Sequence, residues 1–184
     1  NGAIKAVRDA SSSSSVKPEI IIHVAQPENA IFWFEGMAAA GLTDYDIAGI
    51  SYYYLWSTVS IDSVSDYIAD IKSLTGKEVM VVETAYPWTL NNADSYNNIL
   101  GTDKLTVEYP ANETGQYNYL VKLTQEIIDG GGKGIHYWEP AWITSDTRDR
   151  WGKGSAWDCN TLFDFTGNVI RGMTFMTYPY ILKK

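Results

Sequence analysis

Cysteine is almost absent. Cys159 stands alone among 184 residues, which excludes an intrachain disulfide and leaves no second thiolate for a zinc site. Long apolar runs are missing too: none reaches the roughly 18 residues that span a bilayer, and the amino-terminal residues show no signal-peptide pattern. Positive charge is scarce, with 14 Lys and Arg against 22 Asp and Glu and a formal net charge of −8. Such a chain is a poor electrostatic partner for nucleic acid or an anionic membrane surface. A glycine-rich phosphate loop is also lacking. Gly130 to Gly132 follow a helical pattern rather than open one, so a nucleotide-binding α/β domain is excluded.

What the sequence has in excess is aromatic rings: seven Trp and thirteen Tyr, bunched in "IFWF", "SYYYLW", "AYPW" and "HYWEPAW". Scattered aromatics fill cores, whereas rings bunched just after strands favour a binding surface. Four apolar segments read as buried strands: Glu19 to Gln26, with three consecutive isoleucines, Asp46 to Ser51, Lys77 to Glu83, and Lys133 to Ile143. Helical patterns separate them. Pro27 opens one and Gly41 closes it; Val64, Tyr67, Ile68 and Ile71 set the stripe of the next, which Gly76 stops. A third runs from Gly115 into the three glycines, and a first, short one carries Ile4 and Val7 ahead of a serine linker, Ser11 to Ser15. The segment from Leu162 to Met176 reads as helical and poor in strand. Strands alternating with helices, with no hairpin signal joining the four, predict an α/β fold with a parallel sheet.

In parallel sheets ligands bind at the carboxyl ends of the strands. Here those ends carry His23 to Gln26, Ser51 to Tyr54, Glu83 to Tyr86 and Trp138 to Trp142. Glu83 is the pivotal residue, a carboxylate placed where "EVMVV" stops and "TAYPW" starts. A strand-end glutamate can be a surface charge paired to a lysine or a site residue. Tyr52, Tyr53, Tyr86, Trp88 and Trp138 are expected to wall it with rings. Sugar rings present CH-rich faces that pack on such walls, and a carboxylate among them is what glycoside hydrolysis requires. His23 reads either as a packing histidine or as a hydrogen-bond partner near Glu83. Tyr53, Trp56, Trp88, Trp138 and Trp142 read either as core or as sugar platforms, with Trp138 the candidate platform at the cleavage point.

The succession "EIIIHVAQ", "YDIAGISYYYLW", "KEVMVVETAYPWT", "GIHYWEPAWI" and "GSAWDCNTLFDFTG" resembles the carboxyl-terminal half of the endo-β-1,4-galactanases of glycoside hydrolase family 53, over nearly the whole chain. The resemblance implies half of a (β/α)8 TIM barrel, strands five to eight with their helices, as one domain spanning residues 1–184. It implies a secreted, periplasmic or cell-surface enzyme of pectin breakdown that hydrolyses β-1,4-galactan with retention. Glu83 would be the nucleophile, and His23, Tyr53, Trp56, Trp88, Trp138 and Glu139 would bind substrate. Glu139 on its residues alone reads equally as a structural ion pair. Retention needs a second carboxyl about 5–5.5 Å away as acid and base, which the family carries in an Asn-Glu pair after strand four. No residue here matches it: Asn1 is not followed by Glu, and Glu28 and Glu35 read as helix-surface charges. The expectation is therefore half a site, inactive alone, completed by the amino-terminal half of the barrel or by a second chain. The alternative function is a non-catalytic carbohydrate-binding half barrel or degenerate paralogue.

A second constellation lies in "TLNNADSYNNILG". Alternating Asn92, Asp94, Tyr96 and Asn98 fit either an ordinary polar loop or one whose oxygens converge on a metal. Some bacterial members of the family hold calcium between this loop and a Ser-x-x-Asp in the next. Ser155 and Asp158 have that spacing, so the resemblance implies a calcium site of Asn92, Asp94, the Tyr96 main chain, Asn98, Ser155 and Asp158, with few charges.

Overall fold

A computed structural model describes residues 1–100, 105, 107–150 and 152–182. Its centre is a sheet of four parallel strands in the order of the chain: β1 (Ile21–Val24), β2 (Ile47–Ser51), β3 (Glu78–Glu83) and β4 (Gly134–Ile135). Helices α2 (Pro27–Ala39), α3 (Val64–Thr75) and α4 (Glu113–Asp129) make the crossovers. The predicted α/β class with a parallel sheet is what the chain adopts.

The helices follow from local chemistry. In α2, Pro27 occupies the first turn and Ala30, Phe34 and Met37 recur on the buried stripe. Val64, Ile68 and Ile71 are that stripe in α3, and Gly76 closes the helix in the left-handed conformation at φ 64°. Helix α4 starts at Asn112, whose side chain accepts the Gly115 amide, and buries Tyr119, Leu120, Leu123 and Ile127. These stripes cover one face of the sheet, meeting Val24, Ala48, Ile50, Val79 and Val81. The other face is less covered. Strand β2 is buried at all five positions, but Ile21 is 37% exposed and Met80 and Val82 are only half-buried. Burial on both faces, expected for every strand, holds for β2 alone among the described strands: β1 and β4 are edges, and β3, although flanked on both sides, leaves Met80 and Val82 half-buried on the open face.

Other departures have physical causes. The fourth strand is two residues long instead of eleven. Trp138 still donates its amide to the Thr84 carbonyl at 2.8 Å, but Glu139 then turns to φ 49° and ends the extended run. A small hairpin, β5 (Arg148–Asp149) with β6 (Gly152–Lys153), was not anticipated. The segment after Leu162 is a turn closed by a Phe163–Val169 bridge, followed by a 3₁₀ helix, Arg171–Thr177, on α4. The first helix, α1 (Gly2–Ser11), runs into the serine tract and buries none of its residues. Arg8 anchors it, donating to Asp44 at 3.2 Å and to Asp46 at 3.0 Å.

Two glycines in helices differ sharply in surroundings. A Cβ on Gly115 would lie 1.9 Å from the Pro110 carbonyl oxygen, whereas one on Gly36 would meet nothing within 4 Å. Gly115→Ala is therefore expected to cost about 1–3 kcal/mol through forced backbone movement. Gly36→Ala is expected to stabilise by up to about 1 kcal/mol through helix propensity. Urea unfolding of the two variants checks both signs, and equal effects would contradict the packing around Pro110.

Candidate active site

Glu83 ends β3, and its neighbours come from the same ends of β1 and β2. The register there is irregular. Ile50 pairs with Val81, but Ser51 pairs with Glu83, so Val82 and Glu83 together oppose one residue of β2. A bulge of this kind re-aims a side chain. Strict alternation would put Glu83 on the helix-covered face with Val81; instead it meets Ser51 on the open face. Ser51 Oγ donates to Glu83 Oε2 at 3.3 Å and Tyr53 Oη donates to the same oxygen at 3.2 Å. His23 Nε2 lies 2.7 Å from Ser51 Oγ, and its Nδ1 is 3.9 Å from Glu83 Oε1. Of the two expectations for His23, proximity to Glu83 is the one observed. Burial first, then the Glu83 charge and hydrogen bond, push the Tyr53 phenol far above its ordinary value, so Tyr53 stays protonated as a donor. The charge of Glu139 adds a smaller push in the same direction.

The three consecutive tyrosines separate. Tyr52 is fully buried and donates to the Val59 carbonyl at 3.0 Å. Tyr53 faces Glu83. Tyr54 enters a cluster with Tyr86, Tyr109 and Tyr119, in which Tyr86 and Tyr119 stack at 4.4 Å between centroids. Tyr52 and Tyr86 are therefore core and not walls of the site, which corrects the expectation for both. The ring surface beside Glu83 is made by Tyr53, Trp56 and Trp138 around Trp157. Tyr53 and Trp56 are 4.8 Å apart, and Trp157 lies 6.1 to 6.4 Å from all three. Trp56 and Trp138 are 39% and 37% exposed, and Trp157 is 7% exposed. Trp88 turns elsewhere: it packs on Phe165 at 4.9 Å and donates its indole N–H to the Asp158 carbonyl at 3.2 Å. Glu139 and Gln26 both have positive φ, 49° and 72°. Non-glycine residues seldom adopt that region, and those that do gather at functional sites.

Ser51 and Trp157 were missed from the sequence. Serine at a strand end is unremarkable until the bulge aligns it with Glu83. Trp157 sat inside "SAWD", whose serine and aspartate drew attention as metal ligands.

The second constellation converges. Asp94 accepts the Ser155 amide at 2.8 Å, the Thr144 hydroxyl at 2.5 Å and the Tyr96 amide at 2.6 Å. Asp158 accepts Ala93 N at 3.0 Å and Asn98 Nδ2 at 2.8 Å, and its Oδ2 also lies 3.0 Å from Thr144 Oγ1. Asn92 donates to the Tyr96 carbonyl at 2.7 Å. Ser155 donates its hydroxyl to the Trp142 carbonyl at 2.5 Å. Burial raises the Asp94 carboxyl, but the Thr144 hydroxyl and then the Ser155 and Tyr96 amides outweigh it and hold the group below its ordinary value. Gly154 is required where the loops meet: at φ 104°, a Cβ would lie 2.5 Å from Asp94 Oδ2. Among the described residues no three His, Cys, Asp or Glu side chains form a metal cluster. Cys159, buried beside this junction, has its thiol pushed up to about 12 by burial and then by Asp158, which makes it unreactive.

Glu83 is thus a carboxylate held by hydroxyl donors at the carboxyl end of a parallel sheet, with half-exposed indoles nearby. The comparisons narrow this. The profile of Glycosyl hydrolase family 53 matches residues 1–176, and the chain belongs to that family. It is 43% identical over 98% of its length to the arabinogalactan endo-β-1,4-galactanase of Cellvibrio japonicus, covering 48% of that enzyme. With arabinogalactan endo-β-1,4-galactanase A of Emericella nidulans it shares 30% identity over 87% of this chain and 45% of the relative. The Ignisphaera aggregans GH53 catalytic domain superposes with a TM-score of 0.84 at 27% identity, covering 96% of this chain and 51% of that one. The chain thus spans about half the length of the relatives it matches. Catalytic cores of xylanases share the fold alone, with a TM-score of 0.58 at 15% identity.

Trp157 holds the exposed rings in place, so Trp157→Ala is expected to cost about 3–5 kcal/mol and to release Tyr53 and Trp138. Urea unfolding with near-ultraviolet circular dichroism checks this. A stable variant with unchanged aromatic signal would show that the ring cluster does not depend on it.

Proposed function

We propose that the protein of which this chain is part is a retaining endo-β-1,4-galactanase acting on β-1,4-galactan of arabinogalactan or pectin, with Glu83 as nucleophile. The observation carrying this is the setting of Glu83: one carboxylate oxygen held by two hydroxyls, the group as a whole beside Tyr53 and the exposed rings of Trp56 and Trp138. Oriented carboxylate and stacking platform are the two needs of attack on a sugar's anomeric carbon. The names of the family relatives supply the substrate. Residues 1–184 then form strands five to eight of a (β/α)8 barrel. The open sheet with two edge strands, and relatives about twice as long, support that assignment. The remaining strands, on the same protein or a second chain, bring the acid and base carboxyl, so residues 1–184 alone are inactive. Among the described residues no helix is long and apolar enough to cross a membrane, and a polymeric plant substrate places the enzyme outside the cytoplasm, secreted, periplasmic or at the cell surface.

In the complete enzyme, Glu83→Gln is expected to lower hydrolysis of β-1,4-galactan by several orders of magnitude with the fold intact. A fluorinated β-galactobioside should label the wild-type peptide that contains Glu83. Labelling of a different carboxylate, or near-normal turnover by the variant, would refute the assignment. A complete protein that binds galactan without cleaving it would favour a non-catalytic binding role.

We further propose calcium at the junction of the two loops, and the donor set fits. Thr144 has one hydroxyl proton but contacts both Asp94 and Asp158, so one carboxylate meets that oxygen without a proton between them. Asn98 Oδ1 is buried with no hydrogen-bond partner, which costs free energy unless something satisfies it. A hard cation answers both, taking oxygens of Asn92, Asp94, Tyr96, Asn98, Ser155 and Asp158. Its role is structural: it ties together the loops that carry Trp157. Chelator is expected to lower the melting temperature of the complete enzyme and calcium to restore it, with no such response in Asp94→Ala. An identical melting temperature with and without chelator would leave the junction held by hydrogen bonds alone.

A further inference from the structure

The contacts around Glu83 contain an order of donors and acceptors that picks out one of its two oxygens. As a carboxylate Glu83 only accepts hydrogen bonds. Among the described residues, both neutral side-chain donors within reach, Ser51 Oγ at 3.3 Å and Tyr53 Oη at 3.2 Å, go to Oε2. Ser51 has a single hydroxyl proton, so donating it to Glu83 leaves only its lone pairs for His23 Nε2, 2.7 Å away. That distance is then satisfied only if Nε2 carries the proton. In neutral His23 the other nitrogen, Nδ1, is bare and faces Oε1 at 3.9 Å, too far for a hydrogen bond. The reverse order fails: a proton on Nδ1 would make Ser51 donate to His23 and turn the serine lone pairs on a carboxylate oxygen. The chain His23 Nε2–H to Ser51 Oγ–H to Glu83 Oε2 is the one arrangement in which every short contact has a proton.

We infer that Ser51 is a positioning residue that, with Tyr53, commits Oε2 of Glu83 to the protein and leaves Oε1 as the attacking oxygen. The inference rests on Glu83 being the nucleophile. In the covalent step a lone pair of Oε1 forms the bond to the anomeric carbon as that carbon's bond to the departing sugar oxygen breaks. The electron pair leaves with that oxygen, which takes a proton from the acid carboxyl on the rest of the enzyme. Oε2 becomes the carbonyl oxygen of the glycosyl ester and keeps both donors. When water, deprotonated by the same carboxyl, displaces Glu83, those donors receive the charge that returns to Oε2. The hydrogen bonds therefore fix the carboxylate plane throughout, without occupying the oxygen that reacts. Ser51 is held for this task by burial, with 3% exposure, and by the register shift that sets it opposite Glu83.

The test uses the complete enzyme and two independent readouts. Imidazole ¹⁵N NMR, with the His23 signals assigned by their loss in His23→Asn, is expected to show neutral His23 protonated on Nε2. That preference should weaken in Ser51→Ala. On β-1,4-galactan, Ser51→Ala is expected to lose about 10- to 100-fold in kcat, with KM changed less than about twofold and the melting temperature retained. Neutral His23 protonated on Nδ1 in the wild type, or an unchanged kcat in Ser51→Ala, would overturn the inference. A wild-type enzyme inert on galactan would instead sink the functional proposal, while the tautomer measured in the same sample still decides the order of donors.

Discussion

The pairing of β2 with β3 is the constraint on which the rest depends. Among the described residues, β2 is the one strand of the sheet buried along its whole length, and it registers with β3 residue for residue until Ile50. The register then slips by one, and Tyr52 donates its amide to the Glu83 carbonyl at 2.9 Å. This slip moves a carboxylate from the face where it would face helices to the face where it meets hydroxyls. Burying an unpaired carboxylate under α3 and α4 would be very unfavourable; the bulge avoids that and places the group at the mouth of the sheet. Gly49 belongs to the same design, since a Cβ there would lie 2.7 Å from Ile21 and 3.1 Å from Val82.

Around that point the aromatic residues divide by what their polar tips can reach. Tyr52, Tyr86 and Tyr119 are fully buried, and each hydroxyl finds a partner: the Val59 carbonyl, the Tyr109 carbonyl and Thr84. Tyr137 does the same, bridging the Tyr86 and Asn160 carbonyls. Buried phenols are affordable only with such partners. Tyr53 differs because its partner is Glu83. The indoles need fewer partners, which lets Trp56 and Trp138 stay half in solvent as a surface while Trp157 supports them from beneath.

The loop junction acts at a distance on the same surface. Asp94 and Asp158 draw the loop of residues 92–98 onto the segment that carries Trp157 through main-chain and side-chain donors. Leu100, Ala156, Trp157 and Leu162 anchor the ends of this region in the apolar core, while the loop of residues 92–98 itself is held by polar contacts to the two aspartates. Trp157 links the Glu83 end to the loop end, and Trp88 does so too by donating to the Asp158 and Cys159 carbonyls.

The sequence by itself determined much of this. Strand and helix alternation, the α2, α3 and α4 stripes, the strand-end position of Glu83 and the motifs of the family are all local or periodic, so they are legible without coordinates. The polar loops were legible as a pair only through the resemblance to the family, which links the loop of Asn92, Asp94, Tyr96 and Asn98 to a Ser-x-x-Asp at Ser155 and Asp158. What only the tertiary structure decided is everything that turns on parity and reach. A single-residue slip reverses which face a side chain occupies, and nothing in "EVMVVE" announces it, so Ser51 was invisible as a partner of Glu83. Three adjacent tyrosines look alike in sequence, yet pleat and loop send one to the core, one to the site and one to a neighbouring cluster. Trp88 and Trp138 follow strands in the same way, but Trp88 is drawn off by the Asp158 carbonyl and Phe165, whereas Trp138 has its amide fixed beside Thr84 and its ring left in solvent. Such choices are made by long-range contacts between segments 30 to 70 residues apart, and a chain read one stretch at a time does not contain them.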